Sequence, residues 1–172
     1  RHAIETVIAA VKYFGVEQRL RAVHQIAHRL DVTLPTDLMM TSAEVLELRG
    51  GGLQVGAHTV THPILASLSI EDARREMKDS KDFLERLLGE RVGLFAYPNG
   101  KPGKDFDERS MSVARELGFD AAVTTAPGAA SSRTDPFQLP RFTPWDRERW
   151  RFGARMVGNL LVSHGPVILD AL

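Results

Sequence analysis

The chain has 172 residues, no cysteine, and 22 basic against 22 acidic residues, for a formal net charge of zero. That length suits one domain of about 150 residues with a core that needs no covalent staples. The composition excludes a disulfide scaffold, a cysteine-ligated zinc site, an iron–sulfur cluster and a thiol nucleophile, and balanced charge argues against a dedicated nucleic-acid binder.

The first forty residues read as two helices. Ile4, Val7, Ile8, Val11 and Phe14 fall at helical spacing up to Gly15; Leu20, Val23, Ile26, Ala27 and Leu30 repeat the pattern, with His24 and His28 interleaved. After a break at Asp31–Pro35, Thr41-Ser42-Ala43-Glu44 has the form of a capping box opening a short helix that ends at Gly50-Gly51-Gly52. Leu53–Ala57 is a short strand followed at once by His58. Ser69 caps the clearest helix, whose stripe is Ile70, Ala73, Met77, Leu84, Leu87 and Leu88 and whose stop is Gly89. Val92–Tyr97 is the next strand, closed by Pro98-Asn99-Gly100; a helix from about Asp107 to Leu117 and a strand at Phe119–Thr125 follow. Phe137–Phe142 is a candidate fourth strand, and Arg147–Leu160 a last helix with an apolar tail to Leu172.

Alternating helices and strands imply a parallel sheet covered by helices, an α/β fold with its chemistry at the carboxyl ends of the strands. His58 follows the first strand, Tyr97-Pro98-Asn99 the second, Thr124-Thr125 the third and Arg141 the fourth. No apolar run approaches the roughly 18–20 residues of a membrane span. No stretch has the pattern of a secretory leader, but the chain opens on Arg1 rather than Met, so that decides nothing about export.

His58 and His62 form an i,i+4 pair, H-T-V-T-H. On a helical turn that spacing puts both imidazoles on one side with Cβ atoms about 5–6 Å apart, within reach of one ion. The same spacing at His24 and His28 reads instead as surface or half-buried positions on an amphipathic helix. Two imidazoles alone are too few for a catalytic zinc, which takes about three protein ligands and a water. The FAYPNG stretch reads either as a plain strand and turn or as a rigid turn aiming a backbone N–H into a cleft. Arg141 reads either as a salt-bridge partner or as a guanidinium near an anionic group.

Together GAHTVTHPIL, the helix SIEDARREMKDSKDFLERLLGE, LFAYPNG, ELGFDAAVTT and LPRF resemble, in order and spacing, the polysaccharide deacetylases of the NodB-homology type, carbohydrate esterase family 4. The resemblance spans about Met40 to Asp146, and the FAYPNG variant looks most like the branch of poly-N-acetylglucosamine deacetylases. It implies a deformed (β/α) barrel, incomplete at its N-terminus. The core would be 41–146, after a helical insertion at 1–40 and before a C-terminal helix and tail at 147–172.

The implied reaction is hydrolysis of an N-acetyl or O-acetyl group on a sugar of a polysaccharide, by a hydrolase of carbon–nitrogen (non-peptide) bonds. The implied cofactor is a divalent metal, commonly zinc, that polarises the acetyl carbonyl and activates a water. By the motif, His58 and His62 are metal ligands, Asn99 N–H is an oxyanion donor beside Pro98, Tyr97 lines the sugar groove and Arg141 supports the site. The family's Phe-Asp-Asp motif, source of a metal ligand and of the general base, has no counterpart here and is expected upstream of Arg1. Asp105 or Asp146 could substitute as ligand, and Leu161-Val162-Ser163-His164 superficially matches the late Leu-x-x-His motif.

The resemblance favours a bacterial envelope polysaccharide as substrate, with neither nucleic acid nor a membrane span involved. An open sheet edge left by the missing strand would invite a homodimer. The competing readings are a catalytically inactive remnant that binds polysaccharide or a partner, and a different (β/α) metallohydrolase of small amides.

Overall fold

A computed structural model of the chain describes residues 2–142 and 146–161. The chain divides into two compact units, Arg1–Gln54 and Val55–Leu172.

The first unit is helical: α1 at His2–Val11, α2 at Val16–Arg29 and α3 at Ser42–Gly50. The capping box expected at Thr41 is formed. Glu44 N–H donates to Thr41 Oγ1 (3.3 Å) and Thr41 N–H donates to the Glu44 carboxylate (2.6 Å), satisfying two otherwise orphaned donors. Among the described side chains of this unit only Ala27 is buried, while Ile4, Ile8, Leu20, Leu30 and Met39 stand in solvent.

The second unit holds the core. Helix α4 (Ile70–Leu88) begins where Ser69 Oγ accepts the Asp72 N–H (3.1 Å) and ends at Gly89 in the left-handed conformation. Its buried face carries Ala73, Met77, Ser80 and Lys81. Strand β1 (Leu94–Ala96) pairs in parallel with β2 (Ala121–Val123), in register Leu94↔Ala121, Phe95↔Ala122 and Ala96↔Val123. Between them runs α5 (Glu108–Glu116), capped by Asp107, whose Oδ1 accepts the Ser110 N–H (3.1 Å). Single parallel bridges add Ala57 outside β1 and Leu139 outside β2. The order across the sheet is therefore Ala57, β1, β2, Leu139, with Phe95, Tyr97, Phe106, Met77, Met111, Val113 and Phe119 packed in one cluster. Helix α6 (Arg149–Leu161) closes the described chain.

The α/β alternation is as expected, but the strands are shorter. The five residues expected from Leu53 contribute one bridge, at Ala57. The strand expected over Phe137–Phe142 opens instead as a 3-10 turn at Pro136–Gln138. Asp135 Oδ1 accepts the Phe137 N–H (2.8 Å) and Pro136 has no N–H to offer a ladder, so only Leu139 reaches β2. Among the described residues the sheet is an open parallel array, with no ladder joining Leu139 back to Ala57. A deformed barrel, expected to be incomplete at its N-terminus, is not formed by these residues, which leave the array open at both edges. His164 and the tail lie outside the described residues.

Candidate active site

Two chain segments meet at the carboxyl end of the array. Ala57 N–H donates to Leu94 O (2.8 Å) and Ala96 N–H donates to Ala57 O (2.9 Å), so His58 leaves the sheet beside the end of β1. His58 Nδ1 lies 2.7 Å from Ala96 O. A carbonyl only accepts, so Nδ1 carries a proton, and in the neutral ring the lone pair lies on Nε2. His62 returns to the same place: the two exposed rings meet edge to face, 4.9 Å between centroids. They are not brought there by a helical turn, as the spacing suggested. The segment between them is a loop with Thr59 (φ 65°) and His62 (φ 55°) in the left-handed region.

Two imidazoles with the tautomer imposed on His58 fit a zinc-type ion, the usual pattern being a ligating ring whose other nitrogen is bound to a carbonyl or carboxylate. Among the described residues no third His, Asp or Glu joins them to make a complete cluster.

The turn after β1 is the second part. Tyr97 N–H still donates to Val123 O (3.2 Å); then Asn99 (φ 57°) and Gly100 (φ 70°) both turn left-handed. A Cβ at Gly100 would sit 3.0 Å from Thr125 N and 3.1 Å from Tyr97 O, so glycine is required there both by its φ and by space. The turn is tied across to the end of β2: Thr125 N–H donates to Gly100 O (2.8 Å) and Thr125 Oγ1–H to Asn99 O (2.7 Å). The Asn99 N–H has no hydrogen-bond partner among the described residues, as an oxyanion donor requires. Pro98 is buried and fixes the approach to the turn.

Tyr97 departs from its expected place along a groove. Its ring is 2% exposed and stacks on Phe106 (3.8 Å between centroids, 4° between planes), and its hydroxyl donates to Phe137 O (3.1 Å). Alternation along β1 sends this side chain into the core, and burial pushes its hydroxyl pKa well above the ordinary value. Arg141 is exposed; its backbone N–H donates to Ala126 O (2.9 Å), and its guanidinium has no partner among the described residues.

Neither alternative carboxylate joins the imidazoles. Asp105 is fully buried, with Oδ2 accepting the Lys101 N–H (3.0 Å) and Oδ1 without a hydrogen-bond partner among the described residues. Asp146 is ion-paired with Arg155, which holds its carboxyl below the usual range. His24 and His28 are exposed on α2.

Sequence reasoning missed Glu76, and it named Asp105 only as a possible ligand, whereas both residues shape these loops. Glu76 of α4 binds the backbone between the two His. Asp105 accepts the first N–H after the Asn99-Gly100 turn and gives its own carbonyl to Ala66 N–H (3.1 Å), just past His62. Both are charged residues in charge-rich stretches, and only their half or full burial marks them out.

The polysaccharide deacetylase family model matches residues 19–122, more than half of the chain. YxkH of Bacillus subtilis (strain 168), named as a polysaccharide deacetylase, is 28% identical over 102 residues, which is 59% of this chain and 35% of that protein. The peptidoglycan-N-acetylmuramic acid deacetylase PdaC of the same organism is 37% identical over 49 residues, 28% of this chain and 10% of its own length. The chain thus spans about a third or less of the curated relatives it matches. Among solved structures, the Streptococcus pyogenes deacetylase PplD, in complex with acetate, is 26% identical with a TM-score of 0.58, over 71% of this chain and 57% of that one. The BpsB deacetylase domain of Bordetella bronchiseptica shares the fold at 20% identity and a TM-score of 0.55, over 63% of this chain and 50% of that one. With the family model matched over most of its length and the two loops at the carboxyl end of a parallel array, this chain belongs to the polysaccharide deacetylase family.

Proposed function

We propose that this chain carries the imidazole pair and the oxyanion turn of a metal-dependent hydrolase that removes acetyl groups from N-acetyl or O-acetyl sugars of a polysaccharide. The observation that carries the reading is the hydrogen bond from His58 Nδ1–H to Ala96 O, which sets the tautomer of the neutral ring and leaves Nε2 as its ligating nitrogen, with the ring of His62 4.9 Å away.

His58 and His62 would hold the ion. When bound, a zinc-type ion supplies Lewis acidity toward the acetyl carbonyl and lowers the pKa of a bound water. The Asn99 N–H, held forward by Pro98, Gly100 and the two Thr125 bonds, would donate to the oxygen that gains negative charge as the carbonyl becomes tetrahedral; one such donor is worth about 10²–10³ in rate. Arg141, exposed on the segment after Leu139, is available to the polar rim of a sugar site. The general base and a third ligand would come from a carboxylate other than Asp105, which is enclosed, and Asp146, which is ion-paired.

The test is elemental analysis of purified protein equilibrated with zinc, alongside His58→Ala and His62→Ala. The expected result is up to one equivalent in the parent chain and a sharp loss in each variant, with unchanged circular dichroism because both rings are exposed. Full retention of zinc in either variant overturns the ligand assignment. With such a carboxylate in place, hydrolysis of acetylated sugar oligomers in preference to simple amides is expected, and the reverse preference overturns the substrate class.

A further inference from the structure

The loop that carries the two imidazoles is held in a conformation its own sequence does not favour. Thr59 is β-branched and His62 bulky, yet both are left-handed, a conformation such residues keep only where the surroundings enforce it. Part of the restraint is internal: His62 N–H donates to Thr59 Oγ1 (3.2 Å), whose own hydroxyl turns back to His58 O. The rest comes from one face of α4. Glu76 Oε2 accepts both the Val60 N–H (2.8 Å) and the Thr61 N–H (2.9 Å), and Glu76 Oε1 accepts the Thr61 hydroxyl (2.6 Å). One helical turn on, Ser80 Oγ receives the His58 N–H at 3.4 Å. Glu76 sits next to Met77, which is fully buried, so the carboxylate projects from a part of α4 that is locked into the core.

Resting on the metal reading above, we propose that Glu76 is a positioning residue for the ion site. Its carboxylate grips consecutive backbone N–H groups between His58 and His62, and so sets the two rings toward a common point before any ion arrives. A carboxylate suits this task because both oxygens are acceptors, and charge-assisted bonds to backbone N–H groups are the stronger kind. Outer partners of this sort change metal affinity by about 10–100-fold when removed.

The test compares the parent chain with Glu76→Ala, Glu76→Gln and, as a control on the exposed side of α4, Asp79→Ala. Two quantities are read: backbone amide exchange in metal-free protein by NMR, and zinc affinity by competition with a chromophoric chelator. Glu76→Ala is expected to expose the Val60 and Thr61 amides while those of Phe95 and Ala96 keep their protection, and to weaken zinc binding about 10–100-fold. Glu76→Gln, which keeps one acceptor oxygen and the shape, should recover much of both; Asp79→Ala should match the parent. Unchanged protection at Val60 and Thr61, unchanged zinc affinity in Glu76→Ala, or an equal loss of protection throughout β1 would each overturn the positioning role. If the parent chain binds no zinc, it is the metal reading that fails, and exchange at Val60 and Thr61 still decides whether Glu76 holds the loop.

Discussion

Tyr97 joins two layers with one side chain: its ring stacks on Phe106 and its hydroxyl reaches the Phe137 carbonyl. Replacing it with Phe keeps the stack but leaves that carbonyl unpaired, a cost of about 1–3 kcal/mol, read as a lower Tm. The same residue predicts a pH effect of known sign. Burial raises its pKa in the folded chain, while the unfolded chain releases the proton near pH 10. Above that pH unfolding releases a proton, so stability falls as pH rises further, and below it the contribution is fully present. Tyr97→Phe should therefore lose less stability than the parent between neutral pH and pH 11, and equal losses would refute the assignment. The His pair was legible from H-T-V-T-H, and the turn from Pro-Asn-Gly. That Tyr97 points inward was not, because an aromatic at a strand end is equally compatible with a core and a groove until Phe106 is seen to come back over it. Glu76 was hidden for the opposite reason: in a helix dense with charge, one carboxylate that turns toward backbone N–H groups looks like every other.

Among the elements, α4 carries the most. It was the most legible segment, since Ser69, Gly89 and the 3.6-residue stripe all agree with what formed. Ser69→Ala removes the acceptor for Asp72 N–H and should cost about 1 kcal/mol. Met77→Ala opens a void in the centre of the cluster and should cost about 2–5 kcal/mol. Chemical denaturation of both variants should rank them in that order; the reverse would mean that α4 is held by its end rather than its face. The far end of the helix is tied as well: Glu85 Oε1 accepts from Lys81 Nζ (2.5 Å) and from Val92 N–H (3.0 Å). The Lys81 bond, then the Val92 bond, hold the Glu85 carboxyl below its usual pKa. The strands were less legible than the helices. Short apolar runs such as Phe119–Thr125 mark a buried strand, but where pairing stops depends on the neighbour. Asp135 and Pro136 divert the fourth segment before it can extend the ladder.

For the whole molecule, burial is unevenly shared. Residues 2–54 bury one described side chain, whereas the second unit packs aromatic, aliphatic and methionine side chains around β1 and β2. Opening free energies follow that density. Amides of α1, α2 and α3 should therefore exchange orders of magnitude faster than those of α4, β1 and β2 in the isolated chain, measured by hydrogen–deuterium exchange and mass spectrometry. Comparable protection in both units would show that the helices are held by more than their own packing. The family was legible because its motifs are contiguous; the extent of the sheet was not, because it depends on segments distant in sequence.

Every pairing across the array is parallel, and no two neighbouring segments are joined by a hairpin. That has a consequence in time. A parallel pair can close only after the intervening crossover has been drawn in, so the chain must spend loop entropy before any rung rewards it, which makes such sheets slow to assemble. Helices α4 and α5 can form early, on local contacts alone. The bond from His58 to Ala96, and the tie from Thr125 to the Asn99-Gly100 turn, can only come into being with the late closures that pair Ala57 with β1 and β1 with β2. A nascent chain caught with its helices made and its sheet unclosed would hold both imidazoles and the Asn99 turn without the geometry that brings them together.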